Sequence, residues 1–161
     1  MRKIDLLLNE YGESHQTKLN RIIHYFCVPA IVLSIIGLLA AIPTPAFIIN
    51  LFPDSLTAYA HFGTIFLLIA SVYYLRLSFV LFLVMLVYSI IVLWLINLIS
   101  QINIMPLWAF MTIIFVVSWI IQFYGHNHEG KKPSFIKDVQ FLLIGPAWTT
   151  SHLFEALNIK F

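Results

Sequence analysis

Charge is what this chain has least of. Of its 161 residues, 9 are Lys or Arg and 7 are Asp or Glu, so 10% are charged while 61% are hydrophobic. Soluble domains average about 25% and 45–50%. So few charged side chains cannot cover a soluble fold, and lipid takes the place of water as the solvent. Cysteine is nearly absent too. The single Cys27 excludes an intrachain disulfide and any cysteine-rich zinc or iron–sulfur site, and it reads as a small apolar packing residue. The six glycines form no phosphate-cradling loop, and there is no Gly-x-Ser-x-Gly elbow or Cys–His nucleophile arrangement. Basic residues are too sparse for a nucleic-acid surface. Residues 1–20 hold Asp5, Glu10 and Glu13 without a long apolar core, which argues against a signal peptide. No repeat, low-complexity tract or linker divides the chain, so residues 1–161 read as one integral membrane domain.

What the chain has is long apolar runs. Residues 22–42, 56–75, 79–99 and 107–124 are each long enough to cross a hydrocarbon core of about 30 Å at 1.5 Å per residue. Pro29 is expected to kink the first. Before it, Ile4, Leu7 and Leu8 at helical spacing predict a short amphipathic helix at the membrane surface, broken at Gly12, with Ser14 as a candidate cap for the next turn. After residue 130 comes a charged loop, and then an apolar tail interrupted by Gly145–Pro146 and too short to span. That tail reads as interfacial or re-entrant helix. The expected architecture is an all-α polytopic membrane bundle of four transmembrane helices, with interfacial or re-entrant helices at both ends.

The basic residues give that bundle a direction. Arg2, Lys3, Lys18, Arg21, Arg76, Lys131, Lys132, Lys137 and Lys160 all fall in the N-terminal segment, the connection between spans two and three, or the C-terminal segment. The two opposite loops, about 43–55 and 100–106, have none. Basic loops stay cytoplasmic, which places both termini inside.

Depth then sorts the six histidines. His15, His24, His126, His128 and His152 lie toward the cytoplasmic face, while His61 begins span two at the opposite one. Neutral imidazoles from separate segments at one depth have the chemistry of a metal site. An ionisable group inside a membrane is a functional candidate by default. The competing reading is an interfacial polar residue, and it suits His61 and His128 best. His15 and His24 are nine apart and cannot share one helical face, so the chain between them has to turn. His126 and His128 alternate, so one of the two is expected to face a given centre.

Other polar residues carry weaker signals. Glu129 could ligate a metal, orient a ligating histidine, or pair with Lys131 or Lys132. Asn20 and Gln122 sit at span ends, where an amide satisfies loose backbone groups. Asp138 suits a helix cap or an ion pair. Tyr11, Tyr25, Tyr124 and Trp148 read as aromatic anchors at the membrane interface. Trp94, Trp108 and Trp119 carry no specific signal. Ser34, Gly37 and Ala41 form a small-residue stripe suited to helix packing.

Two stretches carry a resemblance. "YGESHQTKLNRIIHYFCVP" has the pattern Tyr-x3-His-x4-Asn-x3-His-x4-Pro. "QFYGHNHEGKKPSFIKD" has Gln-Phe-x-Gly-His followed by Glu-Gly, two basic residues, Pro, and then Asp. In this order, flanking a four-span core, they resemble the family of the fungal endoplasmic-reticulum 2-hydroxy fatty acid dioxygenase and its small bacterial relatives. Only "NH" separates Gly-His from Glu here, whereas the fungal pattern has a longer stretch. The resemblance implies an Fe(II)-dependent enzyme of fatty acid α-oxidation, which uses O2 to shorten a 2-hydroxy fatty acid by one carbon. It implies His15, His24 and His126 as metal ligands, with Asn20 and Glu129 in supporting catalytic roles beside them. His152, in the tail at the same depth, is a further candidate ligand. The expected setting is a bacterial inner membrane, with membrane lipid, O2 and a 2-hydroxy fatty acid as partners, and nothing excludes a homo-oligomer. The Lys131, Lys132 and Arg21 side chains would draw in a carboxylate or bind anionic lipid. The competing functions are a b-type haem protein using two of these histidines and a non-catalytic lipid-binding or scaffold protein.

Overall fold

A computed structural model describes residues 2–132 and 140–156, and every regular element among them is helical. The order is α1 (Lys3–Gly12), α2 (Lys18–Ala40), a short α3 (Ala46–Ile49), a 3-10 turn (Asp54–Tyr59), α4 (Phe62–Leu77), α5 (Phe79–Ile102), α6 (Leu107–Glu129) and α7 (Phe141–Ala156). Lys137, Asp138 and Lys160 lie outside the described residues.

Three helices, α2, α5 and α6, are long and apolar enough to cross a membrane, at 23, 24 and 23 residues. Each reaches roughly 35 Å at 1.5 Å per residue. Their outer faces leave Phe26, Val87, Ile90, Val116 and Ile120 exposed. Contiguous apolar surface on this scale marks a membrane protein. The run expected to span from residue 56 behaves differently, because its first part is taken by the 3-10 turn and α4 begins only at Phe62. His61 causes that late start. Its backbone is extended, and its Nδ1 accepts the Thr64 N–H at 3.2 Å, capping the helix. At 16 residues α4 reaches roughly 24 Å, shorter than the other three.

Two helix ends differ from expectation in ways that matter for chemistry. α2 starts at Lys18 rather than 22, capped by Thr17 and not Ser14, with Thr17 Oγ1 accepting the Asn20 N–H at 3.4 Å. It passes through Pro29 without a break. α6 continues five residues beyond the expected edge at 124 and stops at Gly130, whose φ of +70° is the left-handed conformation that ends helices. The tail differs as well. α7 runs through Gly145–Pro146 instead of stopping there, and the Tyr74 hydroxyl donates to the Leu143 carbonyl at 2.8 Å, tying α7 to α4.

The helices pack in two layers of core. Toward one end, Ile4, Leu7 and Tyr11 of α1 meet Phe141, Ile144, Ala147 and Trp148 of α7, with Tyr74 of α4 and Leu81 and Met85 of α5 beneath them. The apolar stripe of α1 is thus turned onto α7. Toward the other end, Ile36, Leu67, Val92, Ile96 and Met111 close the space between α2, α4, α5 and α6. α2 and α6 run antiparallel. Gly37 lies so near Met111 that a β-carbon there would stand 2.6 Å from Sδ. This close approach is what the small-residue stripe permits.

Candidate metal centre

The later end of α6 and the earlier start of α2 bring their polar residues into the bundle. On α6, Met111, Ser118, Gln122, Gly125 and His126 are buried, and together they form the stripe facing α2. Because the helix continues to Glu129, that residue lies one turn beyond His126 on the same side, while His128 points outward and is exposed. On α2, Asn20 and His24 are four apart and share a face, and both are essentially inaccessible at 0% and 1%. The Ser14–Thr17 turn reverses the chain and brings His15, 1% exposed, over the same point.

His15, His24 and His126 meet there. Their ring centroids are 4.1 Å (His15–His24), 5.0 Å (His15–His126) and 4.9 Å (His24–His126) apart, each pair edge to face. One ligand nitrogen from each lies within 4.8 Å of the others. The backbone sets their tautomers. His15 Nδ1–H donates to the Tyr11 carbonyl at 2.6 Å, and His24 Nδ1–H donates to the Asn20 carbonyl at 2.9 Å. With Nδ1 so engaged, the neutral ring keeps its lone pair on Nε2, the arrangement usual for histidine that ligates a metal. His15 Nε2 and His126 Nδ1 are buried without a hydrogen-bond partner. Orphaned imidazole nitrogens facing one another are costly unless a shared cation takes their lone pairs, so the donor set fits a metal that favours imidazole. Burial pushes the His15 pKa down to about 4, against the pull of its bond to Tyr11, so its ring is neutral at pH 7.

Glu129 does not pair with Lys131 or Lys132; the ion pair seen among the described residues is Arg2–Asp5. Instead its carboxylate gathers the start of α2. It accepts the Gln16 N–H at 2.6 Å, the Thr17 N–H at 3.3 Å, the Thr17 hydroxyl at 3.0 Å and the Asn20 Nδ2–H at 2.8 Å. Asn20 Nδ2 also donates to the Ser14 carbonyl at 3.0 Å. Glu129 and Asn20 therefore fix the His15 turn against α6. Gly125 makes this possible, since a β-carbon there would lie 2.6 Å from Asn20 Oδ1. Arg21 braces the same turn through the His15 and Gln16 carbonyls, both at 3.0 Å.

His152 stands apart from the three. It lies on α7 with its ring 4.4 Å from Trp148 and 5.9 Å from Tyr25. Trp148 is in turn 5.0 Å from His15, so the indole lies against both histidines. Tyr11 and Trp148 are not interfacial anchors as expected. They are buried walls of the centre, and the Tyr11 ring stacks on His15 at 4.4 Å and 13°. Their sequence signal, the positions of Tyr11 four before His15 and Trp148 four before His152, is indistinguishable from that of a membrane-belt aromatic. His61 remains remote, serving as the α4 cap. A cavity of about 50 Å³ opens beside His24 and His126, walled by Tyr11, Trp119, Gln122 and the apolar face of α2. Trp119 carries no sequence signal for the site, whereas Gln122, read as a span-end amide, is the first residue of the Gln-Phe-x-Gly-His motif.

Over residues 1–157 the chain matches the Mpo1-like family, described as 2-hydroxy-palmitic acid dioxygenase Mpo1-like, and it belongs to that family. Comparison with curated proteins and with solved structures finds no match.

Proposed function

We propose that this Mpo1-like chain is an Fe(II)-dependent membrane dioxygenase that shortens 2-hydroxy fatty acids by one carbon, with His15, His24 and His126 holding the iron. One observation carries the reading: three buried imidazoles from separate segments offer their ligand nitrogens within 4.8 Å of one another. The family description names the substrate class. Bound ferrous iron supplies redox chemistry toward O2 and a Lewis acid for a hydroxy acid. The chain does the rest. Tyr11 and the Asn20 carbonyl orient two of the rings, Glu129 and the Asn20 amide hold the His15 turn to α6, and Trp148 and Tyr11 exclude water. Gln122 places an amide in the cavity wall, within reach of a polar head. The touching rings leave no plane between them for a porphyrin, so the arrangement does not support the haem reading.

In this reading α4 is a fourth span. It returns the chain from the end of α2, where Gly63 sits against the Ile36 carbonyl, to the start of α5 immediately after Ser78. The described basic residues, from Arg2 to Lys132, gather at the histidine end of the bundle, and the connections 41–61 and 103–106 have none. The centre then faces the cytoplasm of a bacterial inner membrane, with both termini inside, where it meets a lipid substrate at the depth of its head.

Anaerobic purification, metal analysis and O2 uptake with 2-hydroxypalmitate test the proposal. Wild type should carry about one iron per chain and consume O2, and His24→Ala and His126→Ala should lose both. Wild-type iron content in both variants removes the site assignment. Iron without substrate-dependent O2 uptake removes the reaction and favours a lipid-binding role.

A further inference from the structure

Beside the histidine cavity lies a second, larger one of about 200 Å³, a partly open pocket lined by α2, α4, α5 and the start of α7. Val32, Ile35 and Leu142 wall both. The face of α2 that lines the two runs without interruption: His24, Val28, Ile31, Val32, Ile35 and Ile36 follow the spacing of a single helical stripe. No charged side chain lines the larger chamber. Its Ser89 hydroxyl is already engaged, donating to the Met85 carbonyl at 2.7 Å. Leu67, Ser89 and Ile36 lie at the far end of the stripe from the histidines.

We propose that this chamber is the acyl-tail site: the tail of a 2-hydroxy fatty acid threads from the histidine centre past Val32, Ile35 and Leu142 into the protein interior, and the far wall at Leu67 and Ser89 measures its length. The inference rests on the reading of the histidine centre as the site of 2-hydroxy acyl chemistry. Its physical basis is adjacency: Val32, Ile35 and Leu142 are the side chains the two cavities share, and the tail passes between them. An apolar cavity that adjoins a polar, ligand-rich one along a single helix face accommodates a molecule with a reactive polar head and a long apolar tail. The dimension agrees. From His24 to Ile36 is twelve residues, about 18 Å along the axis. That is the length of about 14 methylenes at roughly 1.3 Å of advance per C–C bond of about 1.5 Å, so the two cavities taken together suit long-chain acids. The tail leaves the bilayer for the protein, which exchanges one apolar environment for another and gains shape selection that a fluid bilayer cannot provide.

The test uses iron-loaded protein in lipid nanodiscs and a 2-hydroxypalmitate analogue with a diazirine at its ω end. After irradiation, adducts should map to chamber residues such as Leu67 and Ser89. Adducts confined to lipid-facing residues such as Val116 and Ile120, or absent from the chamber, overturn the proposal. Two variants give an independent readout in binding competition across chain lengths. Ser89→Phe should shift the preferred tail shorter by about three carbons, the length a phenyl ring displaces at roughly 1.3 Å of advance per bond. Leu67→Ala should shift it longer. Iron content at the wild-type level in both shows that the fold is kept, and an unchanged preference in both at that content also overturns the proposal. Adducts in the chamber without O2 uptake would fault the reaction while sustaining the tail site. O2 uptake with adducts on the lipid face would do the reverse.

Discussion

Asn20 and Glu129, on opposite strokes of the bundle, are joined by an Nδ2–H to carboxylate bond of 2.8 Å that ties the first turn of α2 to the last turn of α6. The same Asn20 amide nitrogen reaches the Ser14 carbonyl, so one side chain holds both the helix and the turn carrying His15.

Replacing that amide should therefore disturb the metal centre without touching a ligand. Asn20→Ala should lower thermal stability in detergent by about 1–3 kcal/mol, the usual penalty for stripping buried polar groups of a partner. It should weaken iron retention in parallel. Asn20→Asp should do worse, because it sets a second carboxylate against Glu129. Melting curves and iron content of the two variants check the order.

Gly125 gives a steric counterpart. A β-carbon at this position meets Asn20 Oδ1 at 2.6 Å, so Gly125→Ala should cost about 1–3 kcal/mol of overpacking and reduce bound iron. Gly130, with nothing within 4 Å, should behave differently. There the φ of +70° is the constraint, and Gly130→Asn should be milder than Gly130→Ala while leaving iron in place. The measurements are again melting and metal analysis.

His128 and His152 stand outside the three-imidazole group. His128→Ala and His152→Ala should each keep the iron content of wild type, in contrast to His15→Ala. Loss of iron in His152→Ala would bring the tail histidine into the ligand set.

Acid should destabilise the metal-free protein through His15. Its pKa is about 4 when folded, against an ordinary value of about 6.5 when unfolded. Between these values the unfolded chain binds a proton that the folded chain does not. The His15 contribution is thus complete above about pH 6.5 and is lost as pH falls toward 4. Melting temperatures from pH 7.5 to 4.5 should drop by several degrees more for wild type than for His15→Gln.

Much of this was legible in the residues, for reasons particular to each element. Long apolar runs revealed α2, α5 and α6, because lipid demands uninterrupted apolar length. Depth put five histidines toward one face, and it was the two motifs of the family resemblance that set His15, His24 and His126 apart from His128 and His152. Apolar length misplaced the α4 start, because "LTAYA" is as apolar as a helix but sits behind Pro53 and before the His61 cap. It also ended α6 too soon. "GHNHE" looks like a loop until His126 and Glu129 are seen to share a face toward α2. Pro146 looked like a helix break, but α7 continues through it from Phe141 to Ala156. The burial of Tyr11 and Trp148 depends on α1 docking against α7, a pairing between distant segments that no local pattern records.

The bond from the Gln16 amide to Glu129 joins residues 113 positions apart. At a synthesis rate of about 5–20 residues per second, roughly 6–23 s separate the emergence of those two partners. Throughout that interval the two early imidazoles have no third companion, and the turn that carries one of them has no carboxylate to close upon. In the proposed reading, ion capture is therefore a late event in biogenesis, deferred until α6 has been made. A truncated or stalled nascent chain should emerge without the centre.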